Sequence, residues 1–128
     1  MEKFVKGAEK SKISGTFKNV SFLKGDVVVL PFPFSDLSAS KKRPALVIAA
    51  LEGDDVILCQ ITSQARADNY SIVLANSDFK QGSLNLTSII RPNRLFTADK
   101  SIIQYKAGSL KDKKLEEVIN SICNIIKK

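Results

Sequence analysis

The sequence contains no histidine, and this absence removes several kinds of active site. A zinc site built from cysteine and histidine is excluded. So is a serine or cysteine nucleophile activated by an imidazole base. Histidine is also the commonest general acid–base side chain. Any catalysis by this chain must therefore use arginine, lysine, aspartate, glutamate, serine, threonine or tyrosine.

Cysteines and long apolar runs are scarce as well. Cys59 and Cys123 are far apart, and each lies among apolar residues. A disulfide-stabilised fold needs more cysteines in a loop-rich chain, so we expect two free, buried thiols. The longest apolar run, residues 44–51, is too short to cross a bilayer, and the first ten residues contain no apolar run. These absences predict a cytoplasmic protein without a membrane segment.

Positive charge is in excess. The 128 residues include 20 lysines and arginines against 13 acidic residues, a formal net charge of +7. Such a surface attracts polyanions, which include RNA, DNA, acidic protein segments and anionic membranes. The alternative is that the charge only keeps a small domain in solution. Charge alone does not distinguish these partners.

The length predicts one domain. Residues 1–20 are polar and lysine-rich and are predicted to form a flexible arm, followed by a single domain over residues 21–128. Five β-rich segments are expected as strands, with two shorter extended segments after them: residues 26–30, 44–50, 56–61, 71–74 and 86–90, then 94–97 and 102–106. Short strands separated by turns favour a small barrel or sandwich. We therefore predict a mainly β fold with a C-terminal helix (α+β).

That helix is predicted over residues 112–126. Its apolar residues recur at intervals of three and four, which is the pattern of one buried helix face: Leu115, Val118, Ile119, Ile122 and Ile126. The intervening polar segments, residues 34–42, 63–69 and 78–84, are predicted to be loops. Proline is expected to end the strand before Pro31 and the strand before residues 91–93, because it cannot donate a hydrogen bond to the sheet.

Arg43 and Thr62 are the candidate catalytic residues. If residues 44–50 and 56–61 form a hairpin about Gly53, both lie near its open end. Pro44 disfavours a helical conformation for Arg43 and so holds it extended. Its guanidinium matches the geometry of a phosphate, and a threonine hydroxyl can hydrogen-bond one. The alternatives are an arginine paired with a surface carboxylate, and a threonine that caps a turn.

The neighbouring polar residues are candidates for RNA binding: Lys41, Lys42, Ser63, Gln64 and Arg66. The two lysines add positive charge beside Arg43, and the others follow Thr62 in a predicted loop. The segment from Arg91 to Arg94 is interpreted as a strand terminator with exposed charges. The aspartates are scattered and show no spacing typical of a metal-binding cluster.

Several segments together resemble the MazF/PemK family of toxins from toxin–antitoxin systems. The resemblance covers residues 22–126 and is carried by five stretches in order: Lys24-Gly25-Asp26-Val27-Val28 with Pro31-Phe32-Pro33-Phe34, Lys42-Arg43-Pro44-Ala45-Leu46-Val47, Gln60-Ile61-Thr62-Ser63-Gln64, Ser88-Ile89-Ile90-Arg91-Pro92 with Leu95-Phe96-Thr97, and Ser109-Leu110 before the final helix. Each stretch alone is weak evidence for this family. The resemblance depends on the order and spacing of all five.

The resemblance implies an SH3-like β-barrel of the CcdB/MazF type that dimerises. It implies an endoribonuclease that cuts single-stranded RNA, mostly mRNA, selectively and without a metal or other cofactor. The ribose 2′-hydroxyl attacks its own phosphate, which leaves a cyclic phosphate and a 5′-hydroxyl. The family's key arginine and threonine correspond to Arg43 and Thr62. The proton acceptor stays open between Arg43, a carboxylate and water. An acidic antitoxin is the implied partner.

One position departs from the family. Several members have a glutamate five residues before the arginine, where this chain has Ser38. Two alternatives to a ribonuclease remain. One is a toxin of the same fold that binds a protein such as DNA gyrase, but that type depends on a C-terminal tryptophan and this chain has none. The other is an inactive RNA-binding module, against which Arg43 and Thr62 argue.

Overall fold

The computed structural model describes residues 21–32, 41–63 and 68–128. Seven strands and one α-helix lie within these residues. In chain order they are β1 (Asp26–Phe32), β2 (Lys41–Ala50), β3 (Asp55–Thr62), β4 (Ile72–Leu74), β5 (Phe79–Gly82), β6 (Ser88–Asp99), β7 (Tyr105–Leu110) and α1 (Asp112–Ile126). Short 3₁₀ turns precede β5 and β7. The predicted arm, residues 1–20, lies outside the described residues.

The strands form a single sheet in the order β4–β6–β3–β2–β1–β7–β5. All of its pairings are antiparallel. The helix follows the last strand and begins and ends where the apolar periodicity predicts. The predicted fold class, mainly β with a C-terminal helix, is confirmed.

Alternate residues of the central strands point to opposite sides of the sheet and supply two separate cores. On the helix face, one cluster of buried residues packs with α1: Val27, Leu46, Cys59, Ile61, Leu74, Phe79, Ile90, Leu110, Val118 and Ile122. On the inner face lies the second cluster: Phe22, Val28, Leu30, Phe32, Ala45, Val47, Val56, Leu58 and Ile103. Strand register therefore decides which side of the sheet a residue occupies.

The sheet curls around its inner face. The rings of Phe32 on β1 and Phe96 on β6 lie 5.1 Å apart, edge to face. Two strands separate β1 from β6, so a flat sheet would hold these residues about 14 Å apart at ordinary strand spacing. Only a strongly curled sheet allows the rings to touch. The inner face is thus the concave side of a half-barrel.

Two strands continue through prolines that were predicted to end them. Strand β1 extends to Phe32 because its pairing with β7 stops at Val29, and among the described residues Pro31 has a strand partner on one side only, Lys42 of β2. Strand β6 runs through Pro92 as one twelve-residue strand. Its pairing with β3 shifts register across this stretch, so Pro92 lies in a bulge that needs no ladder hydrogen bond.

Three smaller predictions were also wrong. Residues 79–82 form β5 rather than part of a loop, and the segment predicted at 102–106 is displaced to β7. Cys123 is exposed, whereas Cys59 is buried as predicted. The reason is helical geometry. Cys123 lies about 100° around the helix from the buried Ile122.

Candidate active site

Arg43 lies on the inner face at one end of the half-barrel. In the pairing of β1 with β2, Leu30 is opposite Arg43 and Val28 is opposite Ala45. Leu30, Val28 and Ala45 all belong to the inner-face cluster, so Arg43 occupies the same side. Its side chain is half-buried. The guanidinium therefore lies where the apolar core ends and solvent begins, and this setting strengthens its attraction to an anion.

Thr62 occupies the facing position on the next strand. Strands β2 and β3 pair Ala45 with Gln60, and continuing this register by two residues brings Arg43 opposite Thr62. On its other side Thr62 pairs with Ile89 of β6. It is 7% exposed and is the last residue of β3. The hairpin thus brings the two candidate catalytic residues to neighbouring positions on the same face, and their catalytic roles stay a prediction.

The candidate RNA-binding residues divide between the two faces. Lys41 lies opposite Phe32 and shares the inner face with Arg43, whereas Lys42 lies opposite Pro31 and alternates to the other side. Both lysines are exposed, as is Ser63 immediately after Thr62. Gln64 and Arg66 lie outside the described residues. The structure therefore places Lys41 and Ser63 near the Arg43–Thr62 pair.

An ion-pair network beside this end of the sheet was missed by the sequence analysis. The Nη2 of Arg91 lies 3.1 Å from Oδ2 of Asp68, and the Nδ2 of Asn93 donates to the same oxygen at 3.3 Å. The backbone N–H of Tyr70 and the hydroxyl of Ser71 donate to Oδ1 at 2.9 and 3.1 Å. The interpretation of residues 91–94 as a terminator with only exposed charges was therefore wrong.

These contacts define the electrostatics of the network. The hydrogen bond from the Tyr70 backbone, followed by those from the side chains of Arg91, Ser71 and Asn93, lowers the pKa of the Asp68 carboxyl. The Arg91 side chain is only 19% exposed, and its backbone carbonyl accepts a hydrogen bond from the Cys59 thiol at 3.0 Å. Arg91 thus ties the chain at Asp68 to the centre of the sheet. No local sequence pattern could indicate the ion pair between Arg91 and Asp68, because the two residues are 23 positions apart.

Two features are absent from the described residues. No group of three or more histidine, cysteine, aspartate or glutamate side chains is arranged to hold a metal ion in this part of the chain. No helix among the same residues is long and apolar enough to cross a membrane.

The described part of the chain is a curled antiparallel sheet with a C-terminal helix, and a basic residue lies near a hydroxyl at the end of one hairpin. The chain matches the family of PemK-like, MazF-like toxins of type II toxin–antitoxin systems over residues 23–126. It belongs to that family. No curated protein sequence matches the chain at a significant level.

Solved structures with the same fold include several toxins. An endoribonuclease in complex with its cognate antitoxin from a mycobacterial species superposes with a TM-score of 0.67 at 14% identity, covering 84% of this chain and 96% of that one. The MazE–MazF complex from Deinococcus radiodurans gives 0.65 at 19% identity, covering 82% and 95%. The Mycobacterium tuberculosis toxin MazF-mt6 gives 0.62 at 16% identity, covering 80% and 96%. These likenesses show the fold.

Proposed function

We propose that this chain is the toxin of a toxin–antitoxin pair and a sequence-selective endoribonuclease acting on single-stranded RNA, mainly mRNA. The observation that supports the proposal most is the register of the β2–β3 hairpin, in which Ala45 pairs with Gln60. Continued by two residues, this register brings Arg43 opposite Thr62 on the concave side of the sheet. Family membership supports it. Two of the similar structures are described as endoribonucleases of mycobacterial species.

The proposed reaction is an internal transesterification of the substrate. The ribose 2′-hydroxyl gives its proton to an acceptor, which is Arg43, a carboxylate or water, and its oxygen attacks the adjacent phosphorus. The bond from phosphorus to the 5′-oxygen breaks, and that oxygen takes up a proton from water. The products are a 2′,3′-cyclic phosphate and a 5′-hydroxyl end. Negative charge accumulates on the phosphoryl oxygens in the transition state, and the Arg43 guanidinium stabilises it. The Thr62 hydroxyl donates to the same phosphate and aligns it for attack.

Binding of the RNA strand is assigned to the polar residues around this pair. Lys41 shares the inner face with Arg43, and Ser63 follows Thr62 directly. Gln64 and Arg66 are proposed to contact bases or backbone. Lys42, which the strand alternation directs to the opposite face, is proposed to contribute through its long-range positive field rather than by contact.

An acidic antitoxin and a second copy of the chain are the proposed protein partners. The Deinococcus radiodurans MazF structures include complexes with MazE, and the mycobacterial endoribonuclease is bound to its cognate antitoxin. The net charge of +7 favours an acidic partner segment. We propose that this segment covers the inner-face residues that would otherwise contact RNA, and that the toxin acts as a homodimer.

Incubation of the purified chain with a long RNA in excess EDTA tests the activity directly, with the ends of the fragments mapped afterwards. We expect cleavage that leaves 5′-hydroxyl ends and that falls by about 10²–10³-fold in Arg43→Ala, because one stabilising donor at the transition state is lost. Lys113→Ala is the matched control, since Lys113 is an exposed cation on α1 and its loss should leave the rate unchanged.

Two results would contradict the proposal. One is RNA that stays intact with the wild-type protein. The other is undiminished cleavage by Arg43→Ala, which would mean that the activity belongs to a different site or to a contaminating nuclease.

A further inference from the structure

Arg94 lies on the same side of the sheet as Arg43. Strand β6 pairs Phe96 with Leu58 and Leu95 with Cys59, and Leu58 is an inner-face residue whereas Cys59 belongs to the helix face. Alternation from Phe96 therefore directs Arg94 inward. The same register continued by one residue sets Arg94 beside Gln60.

A bulge in β6 fixes this position. Its pairing with β3 passes from Leu95 opposite Cys59 to Ile90 opposite Ile61, so four residues of β6 lie against Gln60 alone. Bulges redirect side chains and are common beside active sites.

Contacts on its helix-face side hold the bulge in place. The amide of Asn93 and the guanidinium of Arg91 both bind Asp68, at 3.3 and 3.1 Å. The Cys59 thiol donates to the Arg91 carbonyl at 3.0 Å. Arg94 thus follows directly on a constrained segment of backbone.

The two arginines of the bulge differ in their charge balance. Arg91 is mostly buried and is neutralised by Asp68. Arg94 is exposed, and no described carboxylate lies within ion-pairing distance of it. An arginine that is exposed, uncompensated and attached to constrained backbone is suited to bind an external anion.

The distance of Arg94 from Arg43 indicates which anion Arg94 binds. Strand β3 separates β6 from β2, so Arg94 and Arg43 are two strand spacings apart, about 10 Å. This is a separation of the backbones, and Arg94 is also offset from Arg43 by two residues along the strands, since the continued registers set it level with Gln60 rather than with Thr62. Arg43 and Thr62 are proposed to hold the phosphate that is cut, so the offset favours a neighbouring phosphate of the strand for Arg94. We propose that Arg94 binds an RNA phosphate other than the one that is cut, and so contributes to substrate affinity rather than to bond cleavage. This inference rests on the proposed ribonuclease function.

The test separates binding from cleavage. Wild type, Arg94→Ala, Arg94→Lys and Lys113→Ala are titrated with a fluorescent single-stranded oligonucleotide that carries 2′-deoxyribose throughout and therefore cannot be cleaved. The titration is repeated over a series of salt concentrations. Cleavage of the matching RNA gives kcat and KM for the same four proteins.

Arg94→Ala is expected to weaken binding roughly five-fold and to lower the slope of log K against log salt by about 0.7, the value for one phosphate contact on a single strand. KM should rise with the dissociation constant while kcat stays within about two-fold of wild type, as for a group that binds ground state and transition state equally. Arg94→Lys should keep the slope, because it keeps the charge. Lys113→Ala should match wild type.

An Arg94→Ala slope equal to that of wild type would overturn the inference, as would a loss of kcat with unchanged KM. Absence of binding by the wild-type protein would overturn it too. A wild-type protein that binds but does not cut would refute the proposed ribonuclease while the salt-slope difference still supported Arg94 as a phosphate-binding residue.

Discussion

Raising the pH above 9 is expected to destabilise this protein through the buried thiol of Cys59. Burial raises the pKa of this thiol from 9.0 to about 12. In the unfolded chain the thiol ionises above about pH 9, whereas in the folded protein it keeps its proton. The folded state therefore binds more protons than the unfolded state in this interval, and its stability decreases as the pH rises.

The size of the effect follows from the two pKa values. Below about pH 8 the contribution is fully present. The free energy of unfolding is expected to fall by about 1.4 kcal/mol at pH 10 and by about 2.7 kcal/mol at pH 11. The same proton forms the hydrogen bond from Cys59 to the carbonyl of Arg91, and the folded protein keeps both over this interval.

Urea unfolding of wild type and Cys59→Ala at pH 8, 10 and 11 measures this contribution, both in a Cys123→Ser background so that the exposed thiol cannot oxidise. Lysines and tyrosines titrate alike in the two proteins, so their effects cancel in the difference. The cavity left by Cys59→Ala lowers the free energy of unfolding by the same amount at every pH. The stability gap between the two proteins should therefore narrow as the pH rises. A gap that stays constant from pH 8 to 11 would refute the reasoning.

Three further predictions concern the fold and the network. Gly82→Ala should lower the free energy of unfolding, measured in urea, by much more than the roughly 1 kcal/mol expected for Gly53→Ala. Both glycines have positive φ, but only at position 82 would the new Cβ lie 2.2 Å from a backbone oxygen. Ile122→Ala should cost about 2–4 kcal/mol in the same assay, whereas Cys123→Ala should cost almost nothing, since only Ile122 is buried. The lowered pKa of Asp68 predicts stability that is present at neutral pH and is lost as the pH falls through and below the usual aspartate range. Asp68→Asn should lose less on acidification than wild type, and equal losses would contradict the assignment.

Local patterns predicted the elements that depend on local physics. The helix followed from the spacing of its apolar residues, and β1 from its β-branched run. Counting outward from the turn at Gly53 predicted only that Arg43 and Thr62 lie near the open end of the hairpin. The exact register was not predictable, because the pairing of β2 with β3 shifts between Val47 and Ala49.

Contacts between residues that are distant in the sequence could not be predicted from local patterns. The Asp68 network joins residues 23 and 25 positions apart, and the β6 bulge exists only because β3 pairs with both of its halves. Proline was taken as a strand terminator, which holds only where both edges of the strand are paired. The side assigned to Lys42 likewise needed the observed register.

The two-sided construction of β2 and β3 has a consequence for how this sequence can vary. Each strand supplies alternate residues to two cores, so a single residue inserted between Arg43 and Val47 would exchange the sides and carry Arg43 away from Thr62. Substitutions in these strands change single contacts, whereas an added residue between Arg43 and Val47, on the site side of the existing irregularity at Val47–Ala49, would change the side of every position beyond it. The tip of the hairpin is exposed from Leu51 to Asp55 and bears no such constraint. Length variation among functional forms of this protein is therefore expected at that tip, and excluded from the strands that lead to the site.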